Sequence, residues 1–128
     1  MNLSNVEKDK AHLIPALVLA YVGDAVYEVY VRTKIINDGF AKTNVLHHKA
    51  TEYVKARAQA EILDNIYESL TDEEKDVVRR GKNATSHTIP KNADVLDYKK
   101  ATAFEALIGY LFLSDKKDRL DDIISKIM

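Results

Sequence analysis

Apolar residues dominate one long stretch of the chain, from Ile14 to Ile36, and their spacing is helical. They recur three and four positions apart and cover almost every side of the helix that this spacing predicts. Pro15 suits the first turn, where the missing backbone N–H carries no penalty, and the turn sequence Asn37-Asp38-Gly39 suits the end. A helix that is apolar almost all round is typical of a protein interior. We therefore predict that this segment forms a central, buried helix.

Helical spacing also dominates the rest of the chain. A second helix is expected over residues 43–70. The sequence Thr71-Asp72-Glu73-Glu74 is a capping box that begins a short helix, and Asp94 suits the N-cap of another. An amphipathic helix is expected after a break at residues 114–117. No alternating β pattern persists, so the sequence predicts an all-α fold of about six helices.

The size and composition of the chain are those of one globular domain. Its 128 residues are 46% hydrophobic and 30% charged, which is enough to form a core, and we expect a single domain over residues 1–128. The absence of cysteine excludes a disulfide framework and a thiolate zinc site. The N-terminus lacks the apolar core of a signal peptide, and Asp24, Glu28 and Arg32 interrupt the apolar stretch before a membrane-spanning length. These observations predict a cytoplasmic protein with no membrane partner.

Charge is distributed unevenly, although the formal net charge is only −1. Acidic residues prevail from Glu61 to Asp76, whereas basic residues prevail from Arg79 to Lys100. A local basic segment is typical of nucleic-acid contact even where the total charge is close to neutral. From charge alone, a solvated surface explains the segment equally well. The basic residues are Arg79, Arg80, Lys82, Lys91, Lys99 and Lys100.

Two acidic residues interrupt apolar helical runs far apart in the chain. Asp24 directly follows Gly23 in the first run, and Glu105 stands within the apolar residues 103–109. A carboxylate on the buried side of a helix costs several kcal/mol unless it is paired. The two acids are therefore expected either to meet and hold a divalent cation, or to enter a structural network, for example Asp24 with Arg32 or a tyrosine. Glu28, one turn after Asp24, is expected to pair with Arg32.

Two stretches together resemble the catalytic domain of the ribonuclease III family. Tyr21-Val22-Gly23-Asp24-Ala25-Val26 is similar to the family signature on its central helix, and Phe104-Glu105-Ala106-Leu107-Ile108-Gly109 is similar to its second catalytic helix. Within the family, residues 79–84 and 89–92 resemble the short bacterial form, Mini-ribonuclease III, which lacks a double-stranded-RNA-binding domain. The resemblance covers nearly the whole chain and implies a ribonuclease III-like helical bundle that forms a two-fold dimer.

The resemblance implies an endoribonuclease that hydrolyses double-stranded RNA with Mg²⁺ as cofactor. Asp24 and Glu105 match its catalytic, metal-binding acids, because Mg²⁺ held by carboxylates can activate water and stabilise the leaving oxygen. The implied substrate is precursor 23S ribosomal RNA, an assisting ribosomal protein is a further partner, and Tyr21 is expected at the dimer interface. The residues expected to contact RNA are Arg79, Arg80, Lys82, Asn83, Ser86, Lys91 and Lys100.

Three positions depart from the pattern of the wider family. Leu17, Ala20 and Thr102 stand where ribonuclease III domains carry further carboxylates. Asp24 and Glu105 then remain as expected ligands, which predicts a cation that keeps more of its water. The short form of the family is similar in lacking some of these acids. The alternative is a catalytically weak or inactive protein that binds RNA with the same fold.

Overall fold

A computed structural model of the chain describes residues 7–84, 89, 91 and 94–128. This part of the chain contains helices and turns but no strand, which confirms the predicted all-α fold and its number of helices. The six α-helices are α1 (Ala16–Asn37), α2 (Thr43–Val54), α3 (Ala56–Ile66), α4 (Asp72–Asn83), α5 (Val95–Leu113) and α6 (Lys117–Ile127). Short 3₁₀ helices, Lys8–Leu13 and Tyr67–Ser69, precede α1 and α4.

The central helix of the bundle is α5. Helices α1, α3, α4 and α6 all pack against it, and most of its residues from Ala101 to Leu113 are buried. We predicted that the helix around Asp24 would be the buried centre, and this is wrong. Helix α1 buries one side, which includes Leu19 and Tyr27, whereas Tyr21 on the other side is 81% exposed. The side of α1 that carries Tyr21 is apolar, and the described residues of this chain do not cover it.

Helices α1 and α5 cross in backbone contact at two glycines. A Cβ atom at Gly23 would lie 1.7 Å from the carbonyl oxygen of Glu105, and a Cβ atom at Gly109 would lie 1.9 Å from that of Leu19. No side chain fits at either position, so the two glycines allow the two axes to approach closely. The crossing fixes which residues of α1 face which residues of α5.

The predicted second helix is two helices, because the chain breaks at Lys55. This residue is extended (φ −64°, ψ 151°), although the apolar spacing continues on both sides. Two side chains hydrogen-bond to the backbone at the break. The Tyr27 hydroxyl donates to the carbonyl of Tyr53 (3.2 Å), and Nε2 of Gln59 donates to the carbonyl of Val54 (2.9 Å). One tertiary and one local side-chain hydrogen bond thus replace the helical ones, which apolar spacing alone does not reveal.

The predicted caps of α4 and α5 are confirmed. The Thr71 hydroxyl accepts from the Glu74 N–H (3.2 Å), while the Glu74 carboxylate accepts from the Thr71 N–H (2.9 Å). At α5, the Asp94 carboxylate accepts from the N–H of Asp97 (3.0 Å). The buried Glu74 carboxylate also pairs with Arg119 of α6 (2.8 Å). This ion pair joins the start of α4 to the last helix.

Candidate active site

Asp24 and Glu105 meet where α1 crosses α5. Gly23 lies against the backbone of Glu105, so the next residue of α1 is directed at the same turn of α5. The Asp24 carboxyl lies close enough to the Glu105 carboxyl to raise its pKa. Arg32 is paired with Glu28 at 3.1 Å, as predicted. The structure therefore does not show the alternative, in which Arg32 neutralises Asp24.

Burial is distributed between the two acids differently from the prediction. Asp24 is exposed, because it lies on the open side of α1, whereas Glu105 is half-buried. The electrostatic penalty falls on Glu105, whose pKa is raised to about 8 by burial and then by the neighbouring Asp24 carboxyl. Two carboxyls that face each other repel when both are ionised. A divalent cation between them removes this repulsion.

Gln59 is a third polar side chain at this site, and the sequence analysis missed it. Its side chain is 2% exposed, and its amide interacts with Glu105 in the direction that favours the ionised carboxyl. Oε1 of Gln59 is buried and has no hydrogen-bond partner among the described residues. The signal in the sequence was a polar residue on the apolar side of α3, four and seven positions before Leu63 and Ile66.

The donor atoms at this site suit a hard divalent cation. Mg²⁺ binds through one or two carboxylates and keeps several waters, and Asp24 and Glu105 supply the two carboxylates. No group of three or more histidine, cysteine or acidic residues that could hold a metal is found in the described part of the chain. The Gln59 side chain, which interacts with Glu105, carries a further buried acceptor oxygen. These residues therefore fit a cation that is largely hydrated.

The positions that lack the family's further acids are occupied by residues with other contacts. Ala20 and Thr102 are buried, and the Thr102 hydroxyl donates to the carbonyl of Tyr98 (3.0 Å). Leu17 and Thr102 line a cavity of about 250 Å³ between α1, α5 and the end of α4, which also includes Asn83. Thr102 is one turn before Glu105, so this cavity lies one helical turn from Glu105 along α5, and neither acid lines it.

The basic segment begins on α4. The C-terminal end of this helix is held close to the part of α5 that carries Glu105. A Cβ atom at Gly81 would lie 2.7 Å from Cα of Ala103, two residues before Glu105. Arg79 is exposed and pairs with Asp76 at 2.7 Å, and Arg80, half-buried, lies 3.4 Å from the same carboxylate.

The remaining residues predicted to contact RNA differ in exposure and pairing. The Lys100 side chain is 20% exposed and pairs with Asp64 of α3 at 3.0 Å, so its charge is already matched. Lys82 is half-buried, and Asn83 and Lys91 are exposed. Ser86 lies outside the described residues. The predicted set is thus partly paired within the protein.

Tyr21 belongs to an exposed apolar strip on α1. It is 81% exposed, with Leu17 at 41% and Val18 at 49% one turn earlier. This strip lies on the same open side of the helix as Asp24. Within the part of the chain that the structure describes, no helix has both the length and the apolar character needed to cross a membrane.

The fold and the two facing acids define a class of nuclease. Residues 17–116 match the family model of the Ribonuclease III domain, and this range includes Asp24, Gln59 and Glu105. Proteins of this class are endoribonucleases and are generally metal-dependent. The chain therefore belongs to the ribonuclease III family and is an endoribonuclease, which confirms the predicted resemblance and the predicted class of enzyme.

Relatives named Mini-ribonuclease 3 match most of the chain. The protein of Symbiobacterium thermophilum is 48% identical over 111 residues, 87% of this chain and 85% of its own length. The protein of Staphylococcus aureus is 43% identical over 128 residues, 98% of this chain and 96% of its own length. A crystal structure of protein FN1578 from Fusobacterium nucleatum has a TM-score of 0.79 at 33% identity and covers 88% of this chain and 89% of its own. Within the family, the similarity is thus to the Mini-ribonuclease 3 group.

Proposed function

We propose that this endoribonuclease cleaves double-stranded RNA with Mg²⁺, which Asp24 and Glu105 bind together. The observation that carries the proposal is the meeting of these two acids at the glycine crossing of α1 and α5. They are far apart in sequence and repel each other, and the half-buried member has a raised pKa. A carboxyl whose pKa is raised by burial and by a facing acid is typical of functional sites.

Hydrolysis of a phosphodiester needs an activated water, relief of charge on the phosphoryl oxygens and a stabilised leaving oxygen. Bound Mg²⁺ supplies these three effects. The chain contributes orientation: Glu105 is held on the buried helix α5, and Asp24 is exposed so that a large substrate can reach the site. Leu17, Ala20 and Thr102 supply no charge. Among the acids on the open side of α1, Asp24 is therefore the one on which the proposed mechanism chiefly depends.

The RNA approaches over the end of α4. A-form RNA is bound mainly through phosphates and 2′-hydroxyls across its minor groove. Arg79, Asn83 and Lys91 are exposed, and Gly81 holds this end of α4 against α5 near Glu105. Arg80, Lys82 and Ser86 are proposed to act with them. Lys100 contributes only if it leaves Asp64, with which it pairs.

A second copy of the chain covers the exposed apolar strip of α1 around Tyr21 and leaves Asp24 accessible. One site cuts one strand, so a two-fold dimer presents two sites to the two strands of a duplex. The apolar strip with Tyr21 at its centre supports this arrangement, because an apolar strip on the surface is the usual mark of a partner contact. The strip adjoins Asp24, so the proposed interface would lie beside the site.

The proposed substrate is structured precursor RNA of the large ribosomal subunit, namely precursor 23S ribosomal RNA. The support is membership of the ribonuclease III family and similarity to proteins named Mini-ribonuclease 3. Few exposed cations remain unpaired on α4, so the affinity for bare duplex RNA is modest. A ribosomal protein bound to the RNA would then assist the reaction.

Cleavage of a labelled RNA duplex tests the core of this proposal. The wild-type protein is expected to cut in Mg²⁺ and to stop cutting when the cation is chelated. Asp24→Asn preserves shape and removes the charge, and it is expected to abolish cleavage while leaving the duplex bound. Glu28→Gln, one turn away and paired with Arg32, is the control that should retain activity. Equal cleavage by wild type and Asp24→Asn would reject the metal-binding role.

A further inference from the structure

Gln59 is fixed at the break between α2 and α3, and its side-chain amide interacts with the Glu105 carboxyl. Its Nε2 donates to the carbonyl of Val54 at 2.9 Å. A carbonyl oxygen can only accept a hydrogen bond, so the amide nitrogen must face Val54 and the amide orientation is determined. The side chain is 2% exposed, which leaves it little freedom to rotate. Its oxygen, Oε1, is therefore held in one direction.

This oxygen lacks a hydrogen-bond partner among the described residues although it is buried. A buried acceptor without a donor costs about 1–3 kcal/mol, and few such groups persist in native proteins. The neighbouring Asp24 and Glu105, once ionised, are acceptors only. In the metal-bound state, when both carboxyls are ionised, no donor to this oxygen is left among the described residues. Water is a donor that a site open at Asp24 admits.

We propose that Gln59 is a positioning residue of the metal site. Its amide holds the Glu105 carboxylate toward Asp24, and its Oε1 accepts a hydrogen bond from the hydration shell of the bound cation. This inference rests on the proposed function, because it requires that Asp24 and Glu105 bind Mg²⁺. Residues in such supporting positions orient the ligands and commonly change metal affinity when they are replaced.

A purely structural role is the competing explanation. Gln59 would then only bind the free carbonyl of Val54 and stabilise the break. Tyr27 offers a matched comparison, since its hydroxyl performs that task for the adjacent carbonyl of Tyr53 (3.2 Å). Tyr27→Phe removes one hydrogen bond at the same break and leaves Gln59 in place. If Gln59 is only structural, the two residues should behave alike.

Nuclear magnetic resonance can observe Gln59 without any enzymatic activity. It is the only glutamine in the chain, so protein made with ¹⁵N-glutamine shows one side-chain amide. Addition of Mg²⁺ is expected to shift this signal in the wild type. The shift should saturate at the Mg²⁺ concentration at which calorimetry shows the site to be filled. The shift is expected to vanish in Asp24→Asn. A signal that does not move on saturation of the wild type would overturn the inference.

Calorimetry on variants provides the second measurement. Gln59→Leu is expected to weaken Mg²⁺ binding by about 10–100-fold, whereas Tyr27→Phe is expected to leave Mg²⁺ affinity unchanged and only lower the melting temperature. Equal Mg²⁺ affinity in folded Gln59→Leu and wild type would refute the positioning role. If Gln59→Leu fails to fold, the amide signal decides. Undiminished Mg²⁺ binding by Asp24→Asn would instead refute the proposed function, and the inference with it.

Discussion

Gly23 of α1 lies against Glu105 of α5 so closely that a Cβ atom would be 1.7 Å from the Glu105 carbonyl oxygen. This contact sets the distance between the two helices and directs Asp24 at the Glu105 carboxyl. The same contact therefore determines both packing and the candidate site.

Gly23→Ala tests this relationship. Alanine normally stabilises a helix relative to glycine by about 1 kcal/mol, but here it must push α1 away from α5. We expect a net destabilisation of at least about 1–3 kcal/mol, the usual range for overpacking, together with loss of RNA cleavage. Thermal unfolding and the cleavage assay measure the two effects. An equal or higher melting temperature would show that the helices can separate freely at this point.

Tyr21→Arg tests the proposed dimer. A charge in the middle of the exposed strip on α1 is expected to shift the protein to monomers and to reduce cleavage of both strands. Phe40→Arg is the matched control, because Phe40 is 91% exposed and lies beyond the end of α1. Analytical ultracentrifugation at several concentrations gives the mass. A Tyr21→Arg protein that sediments like the wild type would place the interface elsewhere.

Arg79→Ala tests the basic segment as an RNA contact. Loss of one phosphate contact is expected to weaken binding and to reduce the slope of log affinity against log salt by about 0.7–0.9. Arg57→Ala on α3 is a close control, because Arg57 is also exposed and paired with a carboxylate at 3.2 Å. Binding titrations at several salt concentrations compare the slopes. The same slope in both variants would show that Arg79 makes no phosphate contact and that this segment does not face the RNA.

Glu74→Gln tests the ion pair between α4 and α6. Burial acts to raise the pKa of Glu74, but hydrogen bonds from Arg119 and the Thr71 backbone outweigh it, so the pKa is lowered. A lowered pKa in the folded state contributes stability above the ordinary glutamate pKa of about 4.3, and this contribution is lost as the pH falls through the folded-state pKa.

We expect Glu74→Gln to reduce the free energy of unfolding by about 3 kcal/mol near neutral pH, as for a broken buried pair. The difference from wild type should shrink as the pH falls below about 4.3, and it should vanish below the lowered pKa of the folded state, where the wild-type carboxyl is also neutral. Urea titrations at several pH values measure it. Glu61→Gln, in the exposed pair with Arg57, should have little effect. A difference that is constant from pH 3 to pH 8 would contradict the ionic explanation.

The helix ends show where local sequence is sufficient. The capping box at Thr71 and Glu74, the cap at Asp94 and the turn at Gly39 form as predicted, because their hydrogen bonds and dihedral angles involve neighbouring residues. The break at Lys55 was not predicted. Its free carbonyls are bound by two side chains, Tyr27 from α1 and Gln59 from the first turn of α3, and the hydrophobic spacing encodes neither contact.

The candidate site likewise has features that the sequence predicts and features that only the fold reveals. The sequence by itself determined the helical class and the two acids, because an acid within an apolar run is visible without a fold. It also indicated the pair between Glu28 and Arg32, which are one turn apart. Only the tertiary structure decided that α5 is the centre, that Asp24 is exposed while Glu105 is half-buried, and that Gln59 lies beside them. Burial depends on which helices cover a residue, and here the glycine contact between α1 and α5 determines that covering.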